Sequence, residues 1–473
     1  MAEDLPVRNK RVLVVGLGKS GVAAALFLKE RGAKVTVSDS KSEAELGKEI
    51  PALREHGVAV ETGGHGEHTF RDQDLIVLSP GVPVDVPPLR QARELGIPVI
   101  GEIELAAGFL KGKIIAITGS NGKTTTTALA GEVISWGGWE VQVGGNIGTA
   151  AISLVATATA DTYNVLEISS FQLETIRKFA PYVAVVLNVS PDHLDRHGTL
   201  AAYVAAKSRI FENQTAADYA VLNAEDPTCV SMAKATKAQV RWFSRVREVN
   251  PGAFVRAGQI YWRDSAGERL ILPLEAIGLK GAHNVENVLA AVSVGVITYC
   301  EPGRIERGVR EFKAVEHRLE YVATVNGVEY YNDSKATNVD ATIKALEAFP
   351  GNIHIILGGK HKGSPYTVLN ELLRQRVKRV YTIGAAAEII ENDIRGAAEV
   401  VRAGTLENAV QRAAASATAG DVVLLAPACA SFDQFRSYEY RGAAFKEVVK
   451  GLEKAALGSR LSAVGQNKEA DCN

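Results

Sequence analysis

A chain of 473 residues is too long for one hydrophobic core, because soluble domains usually contain about 100 to 200 residues, and we predict three domains. With 46% hydrophobic and 23% charged residues, the composition is that of a folded protein with enough apolar material for several cores. The 53 basic and 54 acidic residues nearly balance, which excludes a general electrostatic attraction for nucleic acids or anionic membranes. Any phosphate ligand must therefore be bound by local groups.

Neither the cysteines nor the N-terminus indicates export or membrane insertion. Cys229, Cys300, Cys429 and Cys472 are far apart and form no CxxC pair, so neither a zinc ribbon nor a dense disulfide framework is predicted. The start MAEDLPVRNKRVLVVGLG is acidic and leads directly into a strand pattern, unlike a signal peptide. The apolar runs fall short of the roughly 20 residues that cross a bilayer. These features predict a cytoplasmic protein.

The first strand and helix patterns predict a parallel α/β domain. Residues 11–15 (RVLVV) are followed by a glycine turn, the helical AALFLKERGA and a second strand pattern, VTVSD. Residues 16–21 (GLGKSG) have GxGxxG spacing, and Asp39 ends the next strand. Such a turn lets the backbone approach a diphosphate. The pattern alone fits an NAD site, a site for another nucleotide with Asp39 and Ser40 near its sugar or base, or only a tight turn.

A second strand, turn and helix pattern lies at KIIAITGSNGKTTTTALAGEVI. Its turn runs from Thr118 to Thr125. Backbone amides of such a turn surround phosphates, a lysine reaches the terminal phosphate and a hydroxyl binds Mg²⁺. The turn is not a strict Walker A sequence, because Ile117 stands where GxxxxGK requires glycine. We predict a nucleoside triphosphate site; the alternative is a glycine-rich turn with a surface lysine.

Candidate metal ligands follow at the ends of later strand patterns. Glu167 ends YNVLE, at the edge where α/β sheets place their ligands. The loop NVSPDHLDRHGT follows the strand VAVVLNV and places His193 among acidic residues, although a loop of this composition alone could be a solvated turn. Lys207 lies on the next predicted helix, and its position alone indicates only an ordinary helix lysine.

Beyond residue 315 the strand and helix patterns begin again. IHIILGG, RVYTIG and DVVLLAPA predict buried strands of another open α/β sheet. Polar or glycine-rich segments lie beside these strands at residues 316–318, 332–338, 358–362 and 431–435. Together they would form a basic, hydroxyl-rich surface suited to phosphate and carboxylate groups. The predicted domains are residues 1–101, 102–314 and 315–456, followed by a frayed tail at 457–473.

The ordered set of motifs resembles the Mur ligase family. The matching segments are TGSNGKTTT, EISSFQLE, NVSPDHLDRHG, YVAAKSRI, GAHNVENVLAA, EHRLEYV, NDSKATNVDAT, LGGKHKG and LAPACASFDQF. They span nearly the whole chain apart from the tail, and the start GLGKSGVAAALFLKERG is similar to the branch that adds D-glutamate. The resemblance implies a Rossmann-like N-terminal domain, a central P-loop-type ATPase domain with a mostly parallel sheet, and a Rossmann-like C-terminal domain.

The resemblance also implies an activity. The protein would be a monomeric, ATP-dependent amide ligase of peptidoglycan precursor synthesis, acting on UDP-N-acetylmuramoyl-L-alanine and D-glutamate through an acyl phosphate, with two Mg²⁺ ions. The first glycine turn would then bind UDP. One alternative is another Mur ligase or a folylpolyglutamate synthase-like ligase, which share the TGxNGKT element. The other is an NAD-dependent oxidoreductase, which accounts for residues 11–39 but leaves TGSNGKTTT without a role.

By the same resemblance, residues are expected at each ligand. The UDP substrate would contact Lys19, Ser20, Asp39, Ser40, Gly81 and Asn146. ATP would contact Gly119, Ser120, Asn121, Gly122, Lys123, Thr124, Thr125, Asn284, Asn287, Arg318 and Asp333. Thr124 and Glu167 would bind one metal ion, and His193 and Lys207, the lysine as an N-carbamate, the other; Lys123, His193 and Lys207 would be catalytic. D-Glutamate would contact Lys335, Thr337, Lys362, Ser431 and Tyr438. The family has Phe where this chain has Tyr438. At the uracil of the UDP substrate, some relatives have Arg where this chain has Lys41.

Overall fold

In the computed structural model, which describes residues 6–47, 49–146 and 148–470, the chain divides into two units. The first comprises the residues up to Ala276 together with Glu286–Phe312, and the second comprises Ile277–Val285 with the residues from Lys313 onward. The first unit thus holds all the described residues of the predicted first domain and most of those of the predicted second, whereas Ile277–Val285 of the predicted second domain belong to the second unit. None of the helices in the described ranges is long and apolar enough to span a membrane.

The first sheet contains five parallel strands in the order β3-β2-β1-β4-β5. The chain winds to opposite sides of β1, so the crevice between the ends of β1 and β4 is the place where such sheets bind ligands. The strands are β1 Arg11–Val15, β2 Lys34–Asp39, β3 Ala59–Thr62, β4 Leu75–Leu78 and β5 Val99–Gly101. The helices are α1 Lys19–Glu30, α2 Glu43–Leu46, α3 Glu49–Glu55, α4 Glu67–Arg71 and α5 Pro87–Glu94. The predicted strands RVLVV and LIVL are confirmed.

The second sheet contains nine strands in the order β14-β13-β12-β11-β10-β9-β6-β8-β7. Strands β6 to β12 are parallel, and β13 and β14 extend the sheet as antiparallel strands that the sequence analysis did not predict. The strands are β6 Lys113–Thr118, β7 Val141–Gly145, β8 Tyr163–Glu167, β9 Val183–Val186, β10 Tyr219–Asn223, β11 Gln239–Ser244, β12 Gly252–Arg256, β13 Gln259–Asp264 and β14 Gly267–Pro273.

Helices cover the central parallel strands of this second sheet, and β8, β9 and β10 are accordingly apolar and buried along nearly their whole length. The helices are α6 Glu102–Ala107, α7 Lys123–Trp136, α8 Ala151–Leu154, α9 Ser170–Leu173, α10 Leu194–His197, α11 Leu200–Ser208, α12 Pro227–Met232, α13 Ala282–Ile297 and α14 Pro302–Glu311, with short 3₁₀ turns at Arg209–Phe211 and Leu274–Ala276. Helix α13 is the predicted helix GAHNVENVLAAVSVGV, and its first residues belong to the second unit.

The third sheet has the strand order β15-β16-β20-β17-β18-β19, and only the β15–β16 pair is antiparallel among its described ladders. Its strands are β15 Glu320–Val325, β16 Val328–Asn332, β17 Ile353–Gly358, β18 Val377–Ile383, β19 Glu399–Gly404 and β20 Val422–Leu425. Its helices are α15 Val339–Glu347, α16 Asn370–Arg376, α17 Ala387–Asp393, α18 Leu406–Ser416 and α19 Tyr438–Ala470, with a 3₁₀ turn at Thr367–Leu369. The predicted class, α/β with mostly parallel sheets, is confirmed.

Helix α19 covers most of the segment for which the sequence predicts a frayed tail from residue 457. The helix continues to Ala470. Residues 471–473 of the predicted tail, including Cys472, lie outside the described residues. The other three cysteines are buried and form no disulfide among the described residues.

Two buried glutamates stand two residues apart on helix α6. The Glu104 carboxylate accepts hydrogen bonds from the backbone amides of Arg177, Lys178 and Phe179 at 2.7 to 3.0 Å. Glu102 accepts only the amide of Ile152 at 2.8 Å, and its other oxygen makes no hydrogen bond in the described part of the chain. Burial raises the pKa of Glu102 to about 7, against an ordinary 4.5. The folded protein therefore holds a proton on this side chain that the unfolded chain releases.

We expect Glu102→Gln to remove a pH-dependent loss of stability. Between an unfolded pKa of 4.5 and a folded pKa of about 7, the folded state binds more protons, so the wild type loses stability as pH rises through this window. The uncharged variant should not lose stability in this window. Each pH unit is worth about 1.4 kcal/mol, so its free energy of unfolding should rise by up to about 3 kcal/mol relative to that of the wild type between roughly pH 4 and pH 8. Urea denaturation at both pH values measures the difference.

Glu104→Gln is the matched control for this experiment. It places an NH₂ group against backbone donors that now bind a carboxylate, so it should lower the free energy of unfolding at both pH values. The expectation would be refuted if the free energy of unfolding changed with pH in the same way for the wild type and for Glu102→Gln.

Candidate active site

The first glycine turn lies at the crevice between β1 and β4. Gly16 has φ +88°, a conformation that favours glycine, and a Cβ on Gly21 would stand 1.9 Å from the carbonyl oxygen of Gly16. A Cβ on Gly18, in contrast, would meet no atom within 4 Å. The turn itself therefore requires Gly16 and Gly21, whereas Gly18 leaves the backbone open to a ligand.

Asp39, at the end of β2, shapes this turn. One carboxylate oxygen accepts the amide of Leu17 at 2.7 Å, and the other accepts the amide of Lys41 at 2.9 Å. Among the other residues predicted at the UDP substrate, Lys19 and Ser20 begin α1, Ser40 follows β2, and Gly81 lies in the loop after β4. The structure thus brings these residues to the carboxyl edge of one sheet.

The second glycine turn joins β6 to α7 and is held by the loop after β9. Gly122 has φ +84°, and a Cβ there would lie 2.3 Å from Oδ1 of Asn287. The amide of Asn121 donates to Oδ1 of Asn188 at 2.9 Å, and the amide of Ser120 donates to the Asn188 carbonyl at 2.9 Å. Asn188 is not among the predicted site residues, because its position in NVSP carries no sign of this contact. Nδ2 of Asn188 also donates to the Asn121 carbonyl at 3.2 Å, and these three hydrogen bonds fix the path of the turn.

The lysine of this turn lies along its carbonyls. Nζ of Lys123 donates to the carbonyl oxygens of Gly119 at 2.9 Å and Ser120 at 2.8 Å. The residues of the turn, with Thr124 and Thr125 in the first turn of α7, form a continuous run of backbone amides at the carboxyl end of β6. This arrangement fits a polyphosphate.

Glu167 joins this turn to the loop after β7. The side chain is buried at the end of β8; one oxygen accepts a hydrogen bond from the hydroxyl of Thr124 at 2.8 Å and the other accepts one from the side-chain amide (Nδ2) of Asn146 at 2.8 Å. A hydroxyl and a carboxylate beside a phosphate-binding turn are ligands suited to Mg²⁺. The residues present therefore fit the predicted metal, and Asn146, predicted at the UDP substrate, contacts one of its predicted ligands.

Lys207, on α11, is not an ordinary helix lysine. It is 1% exposed, and its Nζ donates to the carbonyl oxygen of Gly119 at 2.9 Å and to the hydroxyl of Thr118 at 3.3 Å. Burial, helped by the charge of Lys123, holds the pKa of Lys207 well below its ordinary value. A buried amine with a lowered pKa therefore lies at the Gly119 carbonyl of the second glycine turn, and the separation of the two residues in sequence gives no sign of this contact.

His193 lies at the start of α10 with φ 53°. Its imidazole is 43% exposed, with Nε2 at 3.6 Å from Oδ2 of Asp192, and it contacts the ring of Phe171 edge to face at 4.9 Å between centroids. Its predicted metal partner Lys207 lies on the next helix, α11. The structure thus places both residues in the loop and helix that follow β9.

In the second unit, the predicted ATP residue Asp333 follows β16. Its Oδ1 accepts the amide of Leu319 at 3.2 Å, and burial raises its pKa to about 6 although the charge of Arg318 opposes the change. Asn284 lies in the same unit and donates to the carbonyl of Lys280 at 2.7 Å, whereas Asn287 belongs to the first unit. The two asparagines predicted at adenine are therefore divided between the units.

The residues predicted at D-glutamate follow the carboxyl ends of β16, β17 and β20. Lys362 donates to the hydroxyl of Thr337 at 3.4 Å, and Nζ of Lys335 lies 5.3 Å from the centroid of the Tyr438 ring. Ser431 is buried in the loop after β20. Two cations, two hydroxyls and an aromatic ring could bind an anionic amino acid.

Arg441 is a residue of this edge that the sequence analysis missed. It is 1% exposed and donates to the hydroxyl of Ser334 at 3.0 Å, to the Ser334 carbonyl at 2.8 Å and to the Cys429 carbonyl at 3.2 Å. Burial lowers its pKa to about 10. Arg441 thus ties the loops after β16 and β20 together, and a single arginine in YEYRGAAF gives no sign of that role.

The fold and these groups define an α/β enzyme with a glycine-rich turn of the kind that binds phosphates. It has three mostly parallel sheets, and a hydroxyl, a carboxylate and a buried lysine lie at the turn. Matches to known families cover residues 10–101 (Mur ligase MurD-like, N-terminal domain), 117–295 (Mur ligase middle domain) and 317–429 (Mur ligase, glutamate ligase domain). The chain belongs to the Mur ligase family.

Two similar proteins are each named UDP-N-acetylmuramoylalanine–D-glutamate ligase. The one from Koribacter versatilis is 66% identical over 448 residues, covering 95% of this chain and 99% of the relative. The one from Acidobacterium capsulatum is 58% identical over 461 residues, covering 97% and 100%.

Two solved structures support the fold. A pseudomurein peptide ligase type C from Methanothermus fervidus has a TM-score of 0.57 at 20% identity, covering 94% of this chain and 100% of that one. MurF ligase from Thermotoga maritima in complex with ADP has a TM-score of 0.58 at 19% identity, covering 95% and 96%. At such low identity the likeness concerns the fold alone.

We expect the Gly18→Ala variant to show whether the first glycine turn binds a diphosphate or is only a tight turn. The added Cβ would meet no atom, so the fold should persist, but it would occupy space that a bound diphosphate needs at the turn. The affinity for UDP should fall about tenfold or more, which is about 1.4 kcal/mol, as measured by calorimetry. Titration with NAD under the same conditions tests the oxidoreductase alternative.

The matched control is Gly21→Ala, whose Cβ would overlap the Gly16 carbonyl oxygen and should lower the melting temperature. Undiminished UDP binding by a folded Gly18→Ala variant would favour the tight turn without a ligand.

Proposed function

We propose that this chain joins D-glutamate to the L-alanyl carboxylate of UDP-N-acetylmuramoyl-L-alanine with the conversion of ATP to ADP and phosphate, a step of peptidoglycan precursor synthesis in the cytoplasm. The observation that carries the proposal is the phosphate turn of residues 118–125, bounded by the Thr124–Glu167 hydrogen bond and by buried Lys207. The 66% identity to a relative named for this reaction supports the choice of substrates. The chain would act as a monomer.

The first step must activate the carboxylate, which is a poor electrophile. A carboxylate oxygen attacks the γ-phosphorus of ATP, the bond from that phosphorus to the bridging oxygen breaks, and an acyl phosphate and ADP form. Backbone amides of the turn and the ammonium of Lys123 stabilise negative charge on the phosphates. Bound Mg²⁺ would offset the repulsion between the anions.

Two pairs of residues are suited to hold metal ions. Thr124 and Glu167 would hold one ion. His193 and Lys207 would hold the second, with Lys207 as an N-carbamate. The lowered pKa of Lys207 supports the carbamate, because only a neutral amine attacks CO₂, with loss of one proton. The modification would turn a buried group repelled by Lys123 into an anionic oxygen ligand attracted to it.

The second step forms the amide. The D-glutamate amine attacks the carbonyl carbon of the acyl phosphate, a tetrahedral intermediate forms, and the amine loses a proton as phosphate leaves. Lys335, Thr337, Lys362, Ser431 and Tyr438 would hold the amino acid, a role supported by the Lys362–Thr337 hydrogen bond and by Lys335 beside the Tyr438 ring. Arg318 and Asp333, with Asn284 and Asn287, would contact ATP. Lys19, Ser20, Asp39, Ser40, Gly81 and Asn146 would contact the UDP substrate.

We expect phosphate release from ATP to require both UDP-N-acetylmuramoyl-L-alanine and D-glutamate. The assay offers D-glutamate, L-glutamate, L-alanine and meso-diaminopimelate separately and measures phosphate and the amide product. Because a carboxylate must be activated before the amine attacks, release without the UDP substrate should stay at background. Release only with L-alanine or diaminopimelate would overturn the proposal in favour of another Mur ligase.

We expect Lys207→Ala to reduce turnover by about 100-fold or more, because a buried group at the phosphate turn is lost, and short carboxylates such as formate or acetate to restore part of it. A ¹³C carbamate resonance from labelled bicarbonate should be present in the wild type and absent in the variant. Lys237→Ala, which removes an exposed lysine of the same unit, is the control and should keep both the wild-type turnover and the carbamate resonance. Full activity of Lys207→Ala without added carboxylate would remove this residue from the site.

A further inference from the structure

Arg196, on the short helix α10, reaches the loop that follows β4. Its Nη2 donates to the carbonyl of Val82 at 3.0 Å, and its Nη1 lies 3.4 and 3.5 Å from the carbonyl oxygens of Gly81 and Pro80. A guanidinium has a planar array of donors that can serve several carbonyls at once. One side chain of the predicted central domain therefore faces three consecutive carbonyls of the predicted first domain.

The guanidinium is itself held on its other side. Nη2 also donates to Glu174 at 3.0 Å, and both side chains are largely buried, at 16% and 17% exposure. The cation lies 4.4 Å from the centroid of the Phe171 ring. The second oxygen of Glu174 lies 3.3 Å from Nδ1 of His197, whose ring stacks on the same phenylalanine. A largely buried cation with an anion, an aromatic ring and carbonyl acceptors has little freedom to move.

Arg196, Glu174, Phe171 and His197 form one cluster, and its two ends belong to different parts of the site. The loop after β4 is joined to the first glycine turn, because the Ser79 hydroxyl donates to the Gly16 carbonyl at 2.7 Å. At the other end, His193 immediately precedes the helix that carries Arg196, and its ring contacts the same Phe171 ring. Arg196 therefore bridges the segment proposed for the UDP substrate and the segment proposed for the second metal.

We propose that Arg196 is a positioning residue that sets the loop of residues 79–82 relative to His193. This inference rests on the proposed function, in which the carboxylate of a substrate anchored at the first turn must meet a phosphate held at the second. A displacement of about 1 Å between two reacting groups can cost about 100-fold in rate. Gly81 is the single predicted UDP contact in this loop, and ATP would be held by the turn of residues 118–125, so a loss of Arg196 should reduce kcat far more than it weakens either separate affinity.

The test compares three variants of the full chain. Arg196→Met keeps an unbranched side chain over Phe171 but loses the charge and all donors, whereas Arg196→Lys keeps the charge without the planar fork. Arg376→Met is the matched control, because Arg376 donates to the carbonyls of Leu346, Glu347 and Phe349 at 2.6 to 3.3 Å in the other unit. All three lose bonds from an arginine to backbone carbonyls, but only the Arg196 variants alter this cluster.

We expect Arg196→Met to lower kcat about 10-fold to 100-fold, with the dissociation constants of UDP and of a non-hydrolysable ATP analogue changed less than about threefold. Arg196→Lys should be intermediate, and Arg376→Met should keep the wild-type kcat. Hydrogen exchange followed by mass spectrometry should show faster exchange in residues 79–84 of Arg196→Met alone.

Three results would overturn the inference: an unchanged kcat in Arg196→Met, an equal loss of kcat in Arg376→Met, or unaltered exchange in residues 79–84. A wild type that turns over none of the offered amino acids would count against the proposed function instead. In that case the exchange comparison still decides whether Arg196 holds the loop.

Discussion

The turn between β6 and α7 is held by hydrogen bonds from other parts of the chain, and the central site depends on that support. A glycine-rich turn has many accessible backbone conformations, so its amides converge on a phosphate only if something selects one of them. Asn188 does so from the loop after β9, with two bonds to Asn121 and one to Ser120. Lys207 adds a bond to Gly119, and Thr124 ties the start of α7 to Glu167. The parallel order β9-β6-β8 brings these supports to one edge of the sheet.

Buried charged groups are the second constraint on this molecule, and each is accommodated in a different way. Glu104 and Arg441 have several hydrogen bonds, which offset much of the cost of removing a charge from water. Glu102 has a single donor and keeps its proton instead. Lys207 has two acceptors, but its burial and the charge of Lys123 hold its pKa well below the ordinary value. A lowered pKa makes a lysine amine more reactive, and this supports the proposed carbamate.

Local patterns predicted the parts of the fold that depend on local physics. Strands such as RVLVV and LIVL are apolar because helices cover both faces of a parallel sheet, and both are found where the pattern places them. The antiparallel strands β13 and β14 were missed, because QIYWRD and GERLILP mix polar and apolar residues at the edge of the sheet. The predicted domain boundaries and the ligand roles of individual residues stay predictions. Arg196 and Arg441 were missed for another reason, since their partners lie far away along the chain.

The sequence by itself determined the α/β class, the two glycine turns and the family, because a turn that admits phosphates needs particular residues at fixed spacing and the ordered motifs repeat that requirement along the chain. Only the tertiary structure decided what Asp39, Lys207 and Arg196 contact. Asp39 holds the backbone of the first turn, Lys207 is a buried amine at the second, and Arg196 joins the loop after β4 to the helix of His193. Burial and hydrogen bonding arise from segments brought together by folding, and the spacing of residues along one strand or helix contains no information about them.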